Sequence, residues 1–347
     1  MGTPPQVFKG PDAIKHFLHP QAPTPLVELP ISLNPFYKDG VRVFAKLHNM
    51  SPLANVKAIP AYNILEEARK QKKLKAVDTI IEYSSGNTIL SAAVIARHFG
   101  IHKSQTVISH EAFWSRIQLL RFLGVEVLVH NEPEFPKKFD KRSGIEKALQ
   151  LGKRKNYFCL RQYENEANPE AHEKWTGPQL WKQTQGALTI FCSGMGTTGT
   201  IVGTSKYLKK QNKKIVTVGI TRKVNSPVPG VRSKPRLKLI HYDWEPYVDV
   251  LEEIGLKESY TTSLELCRAG IFVGPSSGFA LAGLYEFLRK QKEAGTLKNH
   301  KHKDGKIHAA FICCDGPFQY LEEYFDYVDK NKFPSVKNDH LLLNHPH

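Results

Sequence analysis

Along the chain, short apolar runs and helical apolar stripes take turns. Val41–Leu47 alternates apolar and polar positions, which predicts a strand, while 61–72 carries Ile64, Leu65 and Ala68 on one helical face. Thr79–Tyr83 is a brief apolar run that stops at small polar residues, and 89–99 returns to helical spacing. A strand over 105–109, a helix over 115–123 and a strand over 125–129 are predicted next. The rhythm resumes with a strand over 187–192, a helix over 200–210 and a strand over 215–220. It closes with a helix over 276–290 and a strand over 308–313. Such alternation predicts an α/β fold, with open, mostly parallel sheets flanked by helices. At 347 residues the chain exceeds one small core, so two units are expected. The proline-containing, basic stretch 221–245 is expected to be a long surface loop near the site.

Composition narrows the classes. No stretch approaches the roughly 20 apolar residues of a membrane span, so no membrane partner is expected. Residues 1–10 are polar, and no secretory leader is expected there. The cysteines (159, 192, 267, 313 and 314) include no C-x-x-C and are odd in number, which predicts free thiols in a reducing, cytoplasmic setting and no metal site. The net charge of +16 comes from scattered short pairs such as Lys72 with Lys73 and Lys209 with Lys210. These lack the interleaved aromatics of a single-strand groove, so no nucleic-acid partner is expected. The charge suits an enzyme whose cofactor and substrates are anions.

Four segments carry candidate chemistry, each at a strand-to-helix turn where open α/β sheets place ligands. Asn49 to Lys57 ends on a lysine just before an apolar helix. An amine held against apolar walls has a lowered pKa and forms a Schiff base with an aldehyde. Ser84-Ser85-Gly86-Asn87-Thr88 offers hydroxyls and backbone N–H groups at a helix start, with no cation inside it, which suits a carboxylate. Ser193-Gly194-Met195-Gly196-Thr197-Thr198-Gly199-Thr200 follows an apolar strand and opens a helix. It lacks the Gly-Lys-Ser/Thr ending of a nucleotide loop, so a phosphate monoester fits it better than a triphosphate. Gly274-Pro275-Ser276-Ser277-Gly278 places a serine where its hydroxyl can meet a pyridine nitrogen without forcing protonation. Singly, each segment reads more readily as ordinary local structure: a solvated lysine, a helix cap or a glycine-rich turn.

In this order the four segments resemble the fold type II pyridoxal-phosphate (PLP) enzymes, and among them the cysteine synthase and cystathionine β-synthase family. Thr24-Pro25-Leu26, the stretch from Gln162 to Pro169, and Thr176-Gly177-Pro178 also match family stretches. The resemblance implies a two-domain fold with the active site in the cleft between domains. It implies a smaller, mobile domain over 45–160 that carries Lys57 and the carboxylate loop. A larger, phosphate-binding domain would take 12–44 plus 161–328, leaving 329–347 as a flexible tail. Lys57 would hold PLP and act as the catalytic base. Asn87 would meet the PLP 3-hydroxyl, and Ser276 the ring nitrogen. Gly194, Gly196, Thr197, Thr198, Gly199 and Thr200 would bind the phosphate. Ser84, Ser85, Gly86, Thr88 and Gln162 would hold the substrate carboxylate. The implied reaction is β-replacement on an activated L-serine, first O-acetyl-L-serine. It would run through an aminoacrylate, with sulfide or a similar small nucleophile giving L-cysteine or a β-substituted alanine in a homodimer. Ala58, Ile59, Asn55, Ile89, Thr198 and Trp175 depart from the family pattern. Ala58, Ile59 and Trp175 keep open a weakly active binding or sensor protein; a β-eliminating dehydratase or desulfhydrase is the rival within the enzyme class, with Thr88 and the threonine-rich loop counting against a dehydratase.

Overall fold

Parallel strands need long crossovers, and the helical stretches between the apolar runs supply them. The computed structural model describes residues 7–133 and 136–342, which build two sheets. The strands are β1 (Leu26–Glu28), β2 (Val41–Leu47), β3 (Thr79–Tyr83), β4 (Lys103–Ser109) and β5 (Val125–His130), then β6 (Tyr157–Cys159), β7 (Ile190–Gly194), β8 (Val216–Arg222), β9 (Val250–Ile254) and β10 (Ile307–Cys313). The larger sheet has the order β1-β2-β10-β7-β8-β9 and the smaller β5-β4-β3-β6. Only β1 runs antiparallel to its neighbour among these strands. Helices flank both sheets, giving the expected α/β architecture.

Each sheet buries its own apolar set. Under the larger sheet, Val41, Val43, Ala45, Ile190, Cys192, Phe279, Leu284 and Phe311 pack together. Under the smaller, Ile59, Ile64, Leu65, Ile80, Ile89 and Ala92 pack with Leu160, Ala171 and Trp175. Ala45, Lys46 and Leu47, at the start of the expected 45–160 unit, run in the larger sheet. The predicted helix over 61–72 is Ala58–Lys70. Pro60 is tolerated because it falls in the first turn, where an N–H has no helical acceptor. The helix stops before Lys72, whose φ of 59° is left-handed, and Arg69 and Lys70 complement the negative end of its dipole.

The stretch 221–245 departs from a surface loop. Leu237, Leu239, Ile240 and Tyr242 are buried, with a 3-10 helix over Lys234–Leu239. Apolar residues interleaved with its lysines and arginine anchor it. The expected tail 329–347 begins docked: Phe333 packs on Phe325 at 4.5 Å between ring centroids, and Arg268 donates to the Lys332 carbonyl. Residues 343–347 of that tail, and 1–6 of the expected leaderless start, lie outside the described residues. All five cysteines are free thiols. Among the described residues no helix is long and apolar enough to cross a membrane.

Candidate active site

A cavity of about 280 Å³ opens where the parallel strands of both sheets end. The carboxyl ends of β3, β4, β7, β8 and β10 lead directly into its walls, the place where sheets of this class receive ligands. Lys57, Ser84, Ser85, Gly86, Asn87, Thr88, Gln162, Gly194, Gly196, Thr197, Thr198, Thr200 and Ser276 all line it. Gly199 does not. It faces the other way, where an added Cβ would meet Asn168 Oδ1 at 2.1 Å.

Lys57 caps the helix Ala58–Lys70 and is half-buried, its amine 3.5 Å from Thr197 Oγ1. Its direction is set by Asn55, whose Oδ1 accepts from the Lys57 backbone N–H at 2.9 Å and from Ser91 Oγ at 3.0 Å. Asn55 thereby has a positioning job of its own at one of the departing positions. Burial lowers the Lys57 pKa, outweighing the opposite pull of nearby Cys314 and Asp315. A lysine neutral at lower pH than usual has its lone pair free for attack and proton transfer over more of the neutral range.

The turn after β7 is made by close backbone packing. An added Cβ on Gly196 would lie 2.2 Å from the Gly230 carbonyl oxygen, and in the helix that follows one on Gly203 would lie 1.9 Å from that of Pro169. Thr198 precedes the helix Gly199–Gln211 with φ 66°, leaves the helix start uncapped, and its buried Oγ1 has no hydrogen-bond partner. Buried hydroxyls are nearly always bonded, so this one awaits an acceptor. Thr200 Oγ1 lies 3.2 Å from His172 Nε2, while His172 Nδ1 is 2.9 Å from Thr176 Oγ1. Burial, aided by the Lys57 charge, lowers His172 to about 3 and keeps it neutral.

The loop after β3 is held by side chains instead. Thr88 Oγ1 donates to Gln162 Oε1 at 2.7 Å, and Gln162 Nε2 donates to the Tyr83 carbonyl at 2.8 Å. The Gln162 backbone N–H meets Glu82 at 3.1 Å, and its carbonyl accepts from Asn168 and Tyr242. Ser84 is buried, Ser85 exposed, and an added Cβ at Gly86 would meet nothing within 4 Å.

Some residues at the site had no reading from the sequence. Asp315, two residues past β10, accepts at Oδ2 from Asn87 Nδ2 (2.6 Å), Gln319 Nε2 (2.9 Å) and Tyr320 (2.6 Å). Burial raises its pKa, against those donors and Arg116. Cys314 sits against Ser276, and burial pushes its thiol up to about 11. The available signal was a carboxylate just past a strand's carboxyl end. Arg116, Arg222, Arg232 and Arg236 make part of the lining basic. Arg116 also ion-pairs with buried Glu323 and lies over the Tyr320 ring.

The set fits a phosphorylated pyridine aldehyde. An amine stands on one wall, an uncapped hydroxyl-rich helix start with an orphaned Thr198 Oγ1 on another, and a serine beside the space between them. Residues 18–302 match the family described as pyridoxal-phosphate dependent enzyme. Cysteine synthase B of Escherichia coli is 34% identical over 276 residues, covering 78% of this chain and 87% of that protein. The Salmonella typhimurium cysteine synthase B is 34% identical over 313 residues, covering 87% and 95%. Among solved structures, cysteine synthase of Entamoeba histolytica superposes with a TM-score of 0.74 at 24% identity, over 95% of this chain and 94% of that one. That last likeness is one of fold.

Proposed function

Taking as premise that this chain belongs to the pyridoxal-phosphate-dependent enzyme family, we propose that it converts an activated L-serine, first O-acetyl-L-serine, and sulfide into L-cysteine and acetate. It is a PLP-dependent enzyme of cysteine synthase type, and the donor and nucleophile are the proposal. The observation that carries it is the meeting of a lysine amine of lowered pKa, the hydroxyl-bearing loop after β3 and the glycine- and threonine-rich turn after β7 around one cavity.

Bound PLP supplies an aldehyde that links to amines and a ring that withdraws electrons from Cα. The chain's own residues then have distinct tasks. Lys57 would hold the aldehyde and, as a free amine, would move the proton at the substrate Cα. Thr197, Thr198 and Thr200 bind the phosphate with their hydroxyls, while Gly194 and Gly196 let the backbone approach it. Asn87 would hold the ring hydroxyl, and Ser276 would meet the ring nitrogen. Ser84, Ser85, Gly86, Thr88 and Gln162 hold the carboxylate. The basic lining favours anionic reactants, hydrosulfide included. At Cβ a C–O bond breaks with departure of acetate, and a C–S bond forms. A homodimeric, cytoplasmic enzyme completes the reading.

The test measures cysteine formed by PLP-loaded protein from O-acetyl-L-serine and sulfide, with O-phospho-L-serine and other thiols in parallel. Lys57→Ala is expected to lose about 10²–10⁴-fold in turnover and the visible absorbance of lysine-linked PLP. Consumption of donor to pyruvate without cysteine would favour the eliminating alternative. PLP bound with no donor consumed would favour a sensor.

A further inference from the structure

The turn that feeds β10 lies at the opposite end of that strand from the site. There His302, Asp304 and His308 each bring a ligand-type atom within 4.8 Å of the others. Asp304 Oδ2 is 2.8 Å from His308 Nε2, and its Oδ1 is 3.5 Å from His302 Nδ1. That His302 nitrogen is buried and makes no hydrogen bond among the described residues.

The backbone fixes all three. His302 N–H donates to the Lys306 carbonyl at 2.7 Å, and Gly305 N–H to the His302 carbonyl at 2.9 Å. Gly305 at φ 78° supplies the left-handed residue that the tight turn requires. Lys306 N–H holds Asp304 Oδ1 at 3.0 Å. The His308 backbone N–H donates to Thr189 Oγ1 at 3.1 Å, and its ring stacks on Phe44 with centroids 6.1 Å apart.

We infer that His302, Asp304 and His308 form a binding site for a divalent transition-metal ion of the Zn²⁺ class. Two imidazoles and one carboxylate are a borderline donor set, suited to zinc and its first-row neighbours and not to magnesium or calcium. A tetrahedral ion with bonds of about 2.0–2.2 Å needs donors roughly 3.4 Å apart. Asp304 faces the two rings with different oxygens, Oδ1 at 3.5 Å from His302 Nδ1 and Oδ2 at 2.8 Å from His308 Nε2, so its carboxylate straddles the ion, and the 2.8 Å contact opens as the ion enters. The half-exposed Asp304 side leaves the fourth position to water. The ion pins the turn to the first residues of β10. The H-x-D-x3-H spacing crosses a turn into a strand, so neither helical nor cysteine-based spacing rules reveal it.

Untagged, PLP-loaded protein, stripped with a chelator and dialysed, is titrated with Zn²⁺ by calorimetry and with Co²⁺ by visible absorbance at pH 7.5. One site is expected, with absorbance typical of four- or five-coordinate cobalt. His302→Ala and Asp304→Asn are expected to weaken it about tenfold or more, with cysteine-forming activity unchanged. Wild-type protein that binds neither ion would mean an Asp304–His308 ion pair only, and would overturn the site. Equal affinity in wild type and both variants would assign the metal elsewhere, also overturning it. Should His302→Ala fold poorly, Asp304→Asn, which keeps shape and hydrogen bonding, decides.

Discussion

The two loops that would grip the two ends of a PLP–substrate pair are built in opposite ways. The turn after β7 and the helix it opens are backbone against backbone: Gly196 in the turn has no room for a Cβ under the Gly230 carbonyl, nor Gly203 in the helix under that of Pro169. The loop after β3 is side chain against side chain, through Thr88 and Gln162, with open space at Gly86. Close-packed backbone transmits any added atom as strain, whereas a hydrogen-bonded loop can exchange one partner for another. The cofactor end is therefore rigid, and the substrate end is free to adjust around a carboxylate.

This contrast breaks most easily at its rigid half. Gly196→Ala should cost about 1–3 kcal/mol, read as a corresponding loss of PLP affinity in fluorescence titration. Unchanged affinity would mean the turn yields. Next comes His172, which braces Thr200. Its folded pKa of about 3 lies below the unfolded value near 6.5. Between those values the unfolded chain binds more protons, so stability is complete above about pH 6.5 and falls as pH drops. The slope is up to about 1.4 kcal/mol per pH unit. Chemical denaturation from pH 7 to 4 should show this, and His172→Gln should flatten it. On the adjustable side, Thr88→Val strands Gln162 Oε1 at a cost of about 1–3 kcal/mol. It should appear in the KM for the amino-acid donor and leave PLP affinity in place; an equal effect on both would erase the distinction between the loops. The smallest effect belongs to Gly86→Ala. Its Cβ position is open, while its ψ of −110° lies outside the regions a Cβ favours, so a change of about 0.5–1 kcal/mol is expected in both stability and KM.

The same contrast governs what the sequence made legible. Strands β2 and β3 match their predicted limits, because each alternates or ends cleanly at a polar turn. The strand predicted over 187–192 instead occupies Ile190–Gly194. Ala187 and Leu188 are apolar for packing outside the ladder, and Ser193 and Gly194 join it despite weak strand character. Strand β9 (Val250–Ile254) escaped notice because its acidic pair, Glu252 and Glu253, breaks the apolar run; Lys290 meets Glu252 at 2.6 Å. The glycine- and serine-rich turns could be read because small residues there have few other uses. Asp315 and Arg116 could not, since their partners Asn87 and Glu323 stand 228 and 207 residues away. The departures Ile59, Ile89 and Trp175 are buried in the core beneath the smaller sheet, so they are packing choices outside the cavity lining.

The place of β10 carries one more consequence. This last strand fills the slot between β2 and β7, so a chain emerging from the ribosome holds two unjoined half-sheets until residues 307–313 arrive. Any release before that point frees a product whose exposed strand edges invite pairing with other chains. Insertion of β10 thus decides whether the larger sheet closes or its edges stay open to other chains.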